Sequence, residues 1–257
     1  MDTALRALEY WLLSYKRTWR GTIVSSFLVP FLYLAAMGFG LGSFINAGAG
    51  RAALGGQTYL QFIAPGLLAA TAMQTAAFES SYPVMGSWKW IKTYYAMLAT
   101  PLRVSDVLIG HLLFVAFRVL MTSMVYLVVI TVFGAVSSPW GVLAIVAGLL
   151  TGLSVATPTF ALAVRSERDT VFSMYFRFAI LPMFLFSGAF FPVSQLPVVV
   201  QPIAYATPLW HGVHLARMFT EGTLSPGWIA VNVGYLCLWI AAGTWWAARA
   251  FRRRLVT

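Results

Sequence analysis

The stretch VLIGHLLFVAFRVLMTSMVYLVVITVF, residues 107–133, decides the fold. It holds one charged residue, Arg118, in 27 positions. As a helix rising 1.5 Å per residue it reaches about 40 Å. The hydrocarbon layer of a bilayer is about 30 Å thick, so this one segment is long enough to cross it.

Five further apolar runs flank it, at 22–41, 59–79, 140–164, 174–190 and 228–248. The expected fold is therefore an all-α integral membrane protein with six transmembrane helices in a single transmembrane domain, 1–257. Composition agrees: 60% of the 257 residues are hydrophobic and only 9% are charged. Soluble domains carry about 25% charged residues, and this chain in water would expose more apolar surface than water tolerates.

The net charge is +10. The cations lie between apolar runs rather than on a polar fold, which points to anionic lipid head groups and away from nucleic acid. Their distribution sets orientation. Arg6, Lys16, Arg17 and Arg20 precede the first span. Lys89, Lys92 and Arg103 follow the second, and Arg165, Arg168 and Arg177 the fourth. Arg249, Arg252, Arg253 and Arg254 follow the sixth. The opposite side holds Arg51 and Arg217. By the positive-inside rule both termini are cytoplasmic. Residues 1–20 carry charge throughout and do not read as a signal peptide. Leu5, Leu8, Trp11 and Leu12 fall on one helical face, so 1–20 is expected to be an amphipathic interfacial helix.

The connection 80–106 mixes aromatic and basic residues between Pro83 and Pro101. Its core, SWKWIKTYYAML from Ser87, contains no helix breaker and reads as one short cytoplasmic helix, either an aromatic anchor or a docking surface. The segment 187–226 is apolar but broken by Pro192, Pro197, Pro202 and Pro208, and is expected to form an outer re-entrant segment covered by protein. Residues 46–56, rich in Gly and Ala, read as a flexible outer loop.

Chemistry-bearing motifs are few. No G-x-x-x-x-G-K-[ST] phosphate loop is present. His211 and His214 share a helical face without a nearby carboxylate or thiol, a weak metal signal. Cys237 is the single cysteine, so it has no partner for an intramolecular disulfide. Ser154 would need a base such as His111 to act as a nucleophile. Glu79 and Arg118 are charges within or at the ends of spans, where charges are rare and usually paired. They read as a structural pair or as a polar latch between conformations. Met73, Gln74, Phe78, Met174, Phe178, Phe184 and Phe186 in the second and fifth spans are candidates to line a cavity for apolar cargo.

Three strings carry a family resemblance: YLQFIAPGL from Tyr59, ATPLRVSDVLIGH from Ala99 and LFSGAFFPV from Leu185. With the order of elements, they resemble ABC type-2 exporter permeases, most closely those for nodulation lipo-oligosaccharides and daunorubicin resistance. The resemblance implies a half-transporter in a bacterial inner membrane. A second permease copy, as a homodimer, and two separate ABC ATPase subunits would complete it. No cofactor belongs to this chain; ATP and magnesium sit on the partner. Ser87, Trp88, Lys89, Trp90, Lys92 and Tyr95 fall in the implied coupling helix, and Arg165, Glu167 and Arg168 in a second contact. Phe184 to Phe186 lies where related exporters place an apolar plug.

The expected activity is ATP-driven export of hydrophobic or amphipathic molecules, drug-like or lipid-like, by alternating access. The chain itself is a transport subunit rather than an enzyme. Two other classes stay open: an ATP-independent membrane transferase, which needs a polar catalytic cluster near an interface, and a channel or scaffold, which needs no ATPase.

Overall fold

The computed structural model describes residues 2–47, 51, 54 and 56–255, and all regular structure among them is helical. The expected loop 46–56 lies largely outside the described residues. Helix α1 is Asp2–Tyr15 and α2 is Trp19–Ala35. A π-helical stretch, Ala36–Leu41, leads from α2 into α3, Gly42–Ala47.

Helix α4, Tyr59–Glu79, starts where the sequence places the second span, for a local reason. Thr58 Oγ1 accepts from the Gln61 amide at 3.3 Å, and Gln61 Oε1 accepts from the Thr58 amide at 3.1 Å. This reciprocal capping box satisfies two otherwise orphaned donors.

Helix α5, Tyr82–Met85, passes through a π-helical turn, Gly86–Trp90. Helix α6 is Thr93–Leu98. Between them Lys92 adopts the left-handed region, φ 59°. The single helix expected over 87–98 is therefore two pieces. The first ends as a C-capped helix usually does, with a left-handed residue, but here a lysine occupies the place normally given to glycine.

Helix α7, Val104–Val132, is the quoted stretch, begun three residues early because the Arg103 amide donates to Asp106 Oδ2 at 3.0 Å. A 3₁₀ turn, Pro139–Leu143, capped by Ser138, opens α8, Ala144–Arg165. Helix α9, Thr170–Tyr175, a π-helical turn, Phe176–Ile180, and α10, Leu181–Phe186, make one 170–186 rod. It starts four residues before the expected fifth span and ends four residues earlier. Helix α11 is Gln201–Tyr205. Helix α12, Pro208–Glu221, is opened by the Thr207 hydroxyl and Pro208 and closed by Gly222 at φ 81°. Helix α13 is Pro226–Leu255.

Three helical segments among the described residues are long and apolar enough to cross a membrane: Val104–Val132, Pro139–Arg165 and Pro226–Leu255. Helix α8 is the hub, packed against α4, α7, α12 and α13. Small residues permit this closeness. A Cβ on Gly243 of α13 would lie 2.2 Å from Thr157 Oγ1 of α8, and one on Gly212 of α12 would lie 1.9 Å from Thr151 Oγ1. Such contacts let helix backbones approach where apolar burial gives no drive. Helix α12 is consequently buried along most of its length by α4, α8 and α13.

Helix α1 runs alongside the first half of α7. Its packed face is Ala4, Ala7, Leu8, Trp11 and Tyr15, whereas Leu5 is half exposed on the other side. The expected apolar face is thus rotated: Gly110 of α7 has room only for the alanines, so they turn inward.

Candidate functional site

The segment 86–98 and the 165–169 turn meet at the end of the bundle where α8 and α13 finish. Trp88 Nε1 donates to the Ala163 carbonyl at 3.1 Å. Lys89 Nζ donates to the Glu167 carbonyl. The Arg254 guanidinium of α13 lies 4.1 Å from the Trp88 ring centroid, and its terminal nitrogen is 3.6 Å from Glu167 Oε1. Ser87 is buried and donates to the Pro83 carbonyl at 2.7 Å. Ser87 and Trp88 are thus internal fasteners rather than surface contacts. What they hold outward is Lys89, Trp90, Ile91, Lys92 and Tyr95, all exposed, beside exposed Arg165, Glu167 and Arg168. Ile91 at 74% exposure and Trp90 at 54% are large apolar groups flanked by two lysines.

Beneath this strip, Tyr94 is fully buried, and burial raises its hydroxyl well above the usual tyrosine range. The hydroxyl meets His111 Nδ1 at 2.6 Å. The His111 ring stacks on Trp11 at 4.0 Å. One aromatic cluster therefore joins α1, α6 and α7.

The cargo candidates divide. Gln74 and Phe78 of α4 and Met174, Phe178 and Phe186 of the 170–186 rod are exposed. Phe184 is partly buried against Phe190, 5.0 Å between centroids. Met73 is fully buried among Ala69, Ala77, Val155, Ile180 and Leu209. It packs the core, because α4 turns that side toward α8 and α12. The 170–186 rod also exposes Arg177, which makes no ion pair among the described residues.

Arg118 and Glu79 lie together, Nε donating to Oε1 at 2.9 Å. Arg118 also donates to Tyr15 Oη at 2.8 Å, and its guanidinium sits 4.7 Å from the Tyr15 ring. Tyr15 was no sequence candidate; its i, i+4 spacing from Trp11 on α1 was the available signal. A second arginine, partly buried Arg217 of α12, donates to the carbonyls of Phe62 and Gly188 at 3.0 and 3.1 Å. Gly188 needs its positive φ of 84° to present that carbonyl, which gives the SGAF string a structural reason.

The remaining chemical candidates are engaged elsewhere. Ser154 donates to the Thr151 carbonyl of its own helix at 2.7 Å. His211 and His214 are bridged by Asn232, at 2.8 and 3.1 Å. Among the described residues no three His, Cys, Asp or Glu side chains are grouped to hold a metal.

The sequence pattern of the family described as ABC-2 type transporter matches residues 7–219. Nodulation protein J of Rhizobium leguminosarum bv. trifolii is 31% identical over 244 residues, covering 95% of this chain and 90% of that protein. Nodulation protein J of Rhizobium leguminosarum bv. viciae is 30% identical over 244 residues, covering 95% and 92%. That of Bradyrhizobium diazoefficiens is 30% identical over 246 residues, covering 95% and 90%.

Proposed function

The chain belongs to the ABC-2 type transporter family, and from that premise we propose that it is the membrane half of an ATP-driven exporter of amphipathic molecules. The observation that carries this reading is the strip Lys89-Trp90-Ile91-Lys92. It is exposed, apolar at its centre and cationic at its edges, yet pinned from behind by Trp88 and Lys89 to the end of α8. A surface that is mobile in water does not need such fastening. A surface that receives force from a partner does.

In this reading six helices span the inner membrane with both termini cytoplasmic. Two ABC ATPase subunits, carrying ATP and magnesium, dock on the strip and on the 165–169 turn of each of two permease copies. ATP draws the ATPases together, and the strip passes that movement to α8 through Trp88. The second copy covers the exposed face of α4 and the 170–186 rod. Support for a covered or wet face comes from Arg177 and Gln74. A cation and an amide next to Phe78, Met174 and Phe178 are costly against lipid but suited to a cargo with a polar group on an apolar body. The ion pair of Glu79 and Arg118 joins α4 to α7 beside that face and acts as the latch between inward- and outward-open states.

The test is charge reversal on the strip. K89E together with K92E weakens copurification of the ATPase several-fold, and K92E alone, which leaves the Lys89 bond to Glu167 in place, also weakens it while the chain's melting temperature stays within the error of wild type. Undiminished recovery of the ATPase would sink the coupling assignment.

A further inference from the structure

Two of the chain's three histidines stand where α12 meets α13, and a single side chain joins them. That side chain is Asn232, fully buried within the first two turns of α13, at the end opposite the arginines of that helix. His211 and His214 are one turn apart on α12 and both face it. Asn232 Oδ1 lies 2.8 Å from His211 Nδ1, and Asn232 Nδ2 lies 3.1 Å from His214 Nδ1. Stacking fixes both rings: His211 lies on Tyr235 of α13 with centroids 3.9 Å apart, and His214 on Trp210 at 5.0 Å. Tyr235 Oη also donates to the Ala206 carbonyl at 2.5 Å, just ahead of α12. His211 is buried, whereas His214 is partly exposed and gives protons a way in.

An amide has one accepting end and one donating end. Whichever way it is turned, it serves one Nδ1–H and one bare Nδ1. While at most one imidazole is charged the bridge is complete: one ring donates from Nδ1 to the oxygen, and the other, neutral with its proton on Nε2, accepts from the nitrogen. With both rings charged, two Nδ1–H groups meet one oxygen, and a donor is left facing a donor in the interior, which is costly. The first proton has a place on His211, because a backbone group of Tyr205 also bonds that ring and favours its charged form. The second must enter His214 against the charges of Arg217 and His211. Burial holds both rings below the ordinary histidine range, so double protonation falls below about pH 6. The surroundings supply no counter-charge for it. On α12 the further groups are Arg217 and Glu221, whose carboxylate lies 3.9 Å from Arg217 Nε and offsets part of its charge. Tyr235 of α13 and Tyr205 of α11 are the ionisable neighbours across from it. Residues 139–143 and the α8 turns packed here hold none, and α4 brings only Tyr59 and, at its far end, Glu79 on Arg118.

We propose that the His211–Asn232–His214 bridge is a pH-sensitive tie, which holds α12 to α13 in neutral surroundings and releases it in acid, when both rings carry a proton. The release reaches beyond the two helices. Arg217 of α12 holds the carbonyls of Phe62 and Gly188, so a shift of α12 is felt by α4 and by the turn at Gly188. The tie requires no transport activity and stands apart from the coupling and cargo readings.

The experiment follows the full-length chain in neutral detergent at about pH 7.5 and about pH 5. Nitrogen NMR of isotope-labelled histidine reads the protonation of each ring, and amide hydrogen exchange over 208–216, corrected for the intrinsic rate at each pH, reads the hold on α12. At the higher pH His214 should be neutral with its proton on Nε2; at the lower pH both rings should be charged, and exchange should be about tenfold faster or more. His214→Gln keeps a neutral acceptor for Asn232 and should stay protected at both pH values. Asn232→Asp offers two accepting oxygens and should stay tied in acid; His214→Gln serves if that variant does not fold. Glu221→Gln should keep the release and move it to lower pH, because Arg217 then bears more strongly on His214. A smaller change in wild-type exchange would overturn the proposal, as would a His214 that stays neutral at the lower pH. Release in His214→Gln equal to wild type would also overturn it, and so would loss of release in Glu221→Gln, which would assign the effect to that carboxylate.

Discussion

Neutralising Glu79 tests the link between α4 and α7. Arg118 stands near the middle of α7, roughly 21 Å from its first residue at 1.5 Å per residue. Its side chain is 9% exposed and that of Glu79 17%. In Glu79→Ala the guanidinium keeps only the Tyr15 hydroxyl and ring, neither of which carries charge. Removing one member of a buried pair costs about 3–5 kcal/mol, because the other stays buried uncompensated. Glu79→Gln retains an acceptor for Arg118 Nε and falls at the lower end, about 3 kcal/mol. For a chain of this size each kcal/mol moves the midpoint by about 2–4 °C. Thermal unfolding in detergent should therefore show Glu79→Gln about 6–12 °C below wild type. Replacing both members, E79L with R118M, should recover to within about 1 kcal/mol of wild type, since apolar pairs of similar volume substitute for buried ions. Single variants that melt with wild type, or a double variant as damaged as the two singles combined, would refute the assignment of a buried, mutually dependent pair.

Other perturbations separate fastening from docking. Trp88→Ala removes a buried ring, its bond to Ala163 and the Arg254 contact, a loss of about 3–5 kcal/mol; limited proteolysis should then cut within 86–98 at least tenfold faster. Lys92→Gly relieves a left-handed side chain and should stabilise the chain by about 1 kcal/mol, seen as a higher melting midpoint, while binding less ATPase. Gly243→Ala drives a methyl against Thr157 and Pro158, neither of which can yield, and should cost about 1–3 kcal/mol. T157G in the same chain relieves only part of that loss, because Pro158 Cδ stays within 2.7 Å of the new methyl.

Much of the architecture was legible because its causes are local. Thr58 and Gln61 box the start of α4, Pro208 and Thr207 open α12, and the apolar run of α7 is unmistakable in length. The pairing of Glu79 with Arg118 was legible as a possibility because both charges sit in apolar surroundings on successive long helices. Other features depend on contacts that sequence distance hides. Apolar runs look alike whether they face lipid or protein, so the cover over α12 was expected from the prolines of 187–226, while the residue that supplies it, Thr151, was unmarked. The break at Lys92 has no glycine to announce it; tertiary packing of Trp88 and Tyr94 on either side imposes it. Met73 and Gln74 are adjacent in sequence, yet one fills the core and the other faces out, a difference set only by which neighbours α4 acquires. The ends of α8 and α13 bring Arg165 beside Arg249, Arg253 and Arg254, and before folding the last three read as topology signals alone.

The most direct measurement is affinity purification of this chain from its native membrane in mild detergent, with identification of the proteins that accompany it. The account predicts a soluble P-loop ATPase at one copy per permease, lost when the strip carries K89E and K92E. Purification with no ATPase, under conditions that keep other membrane complexes intact, would contradict it.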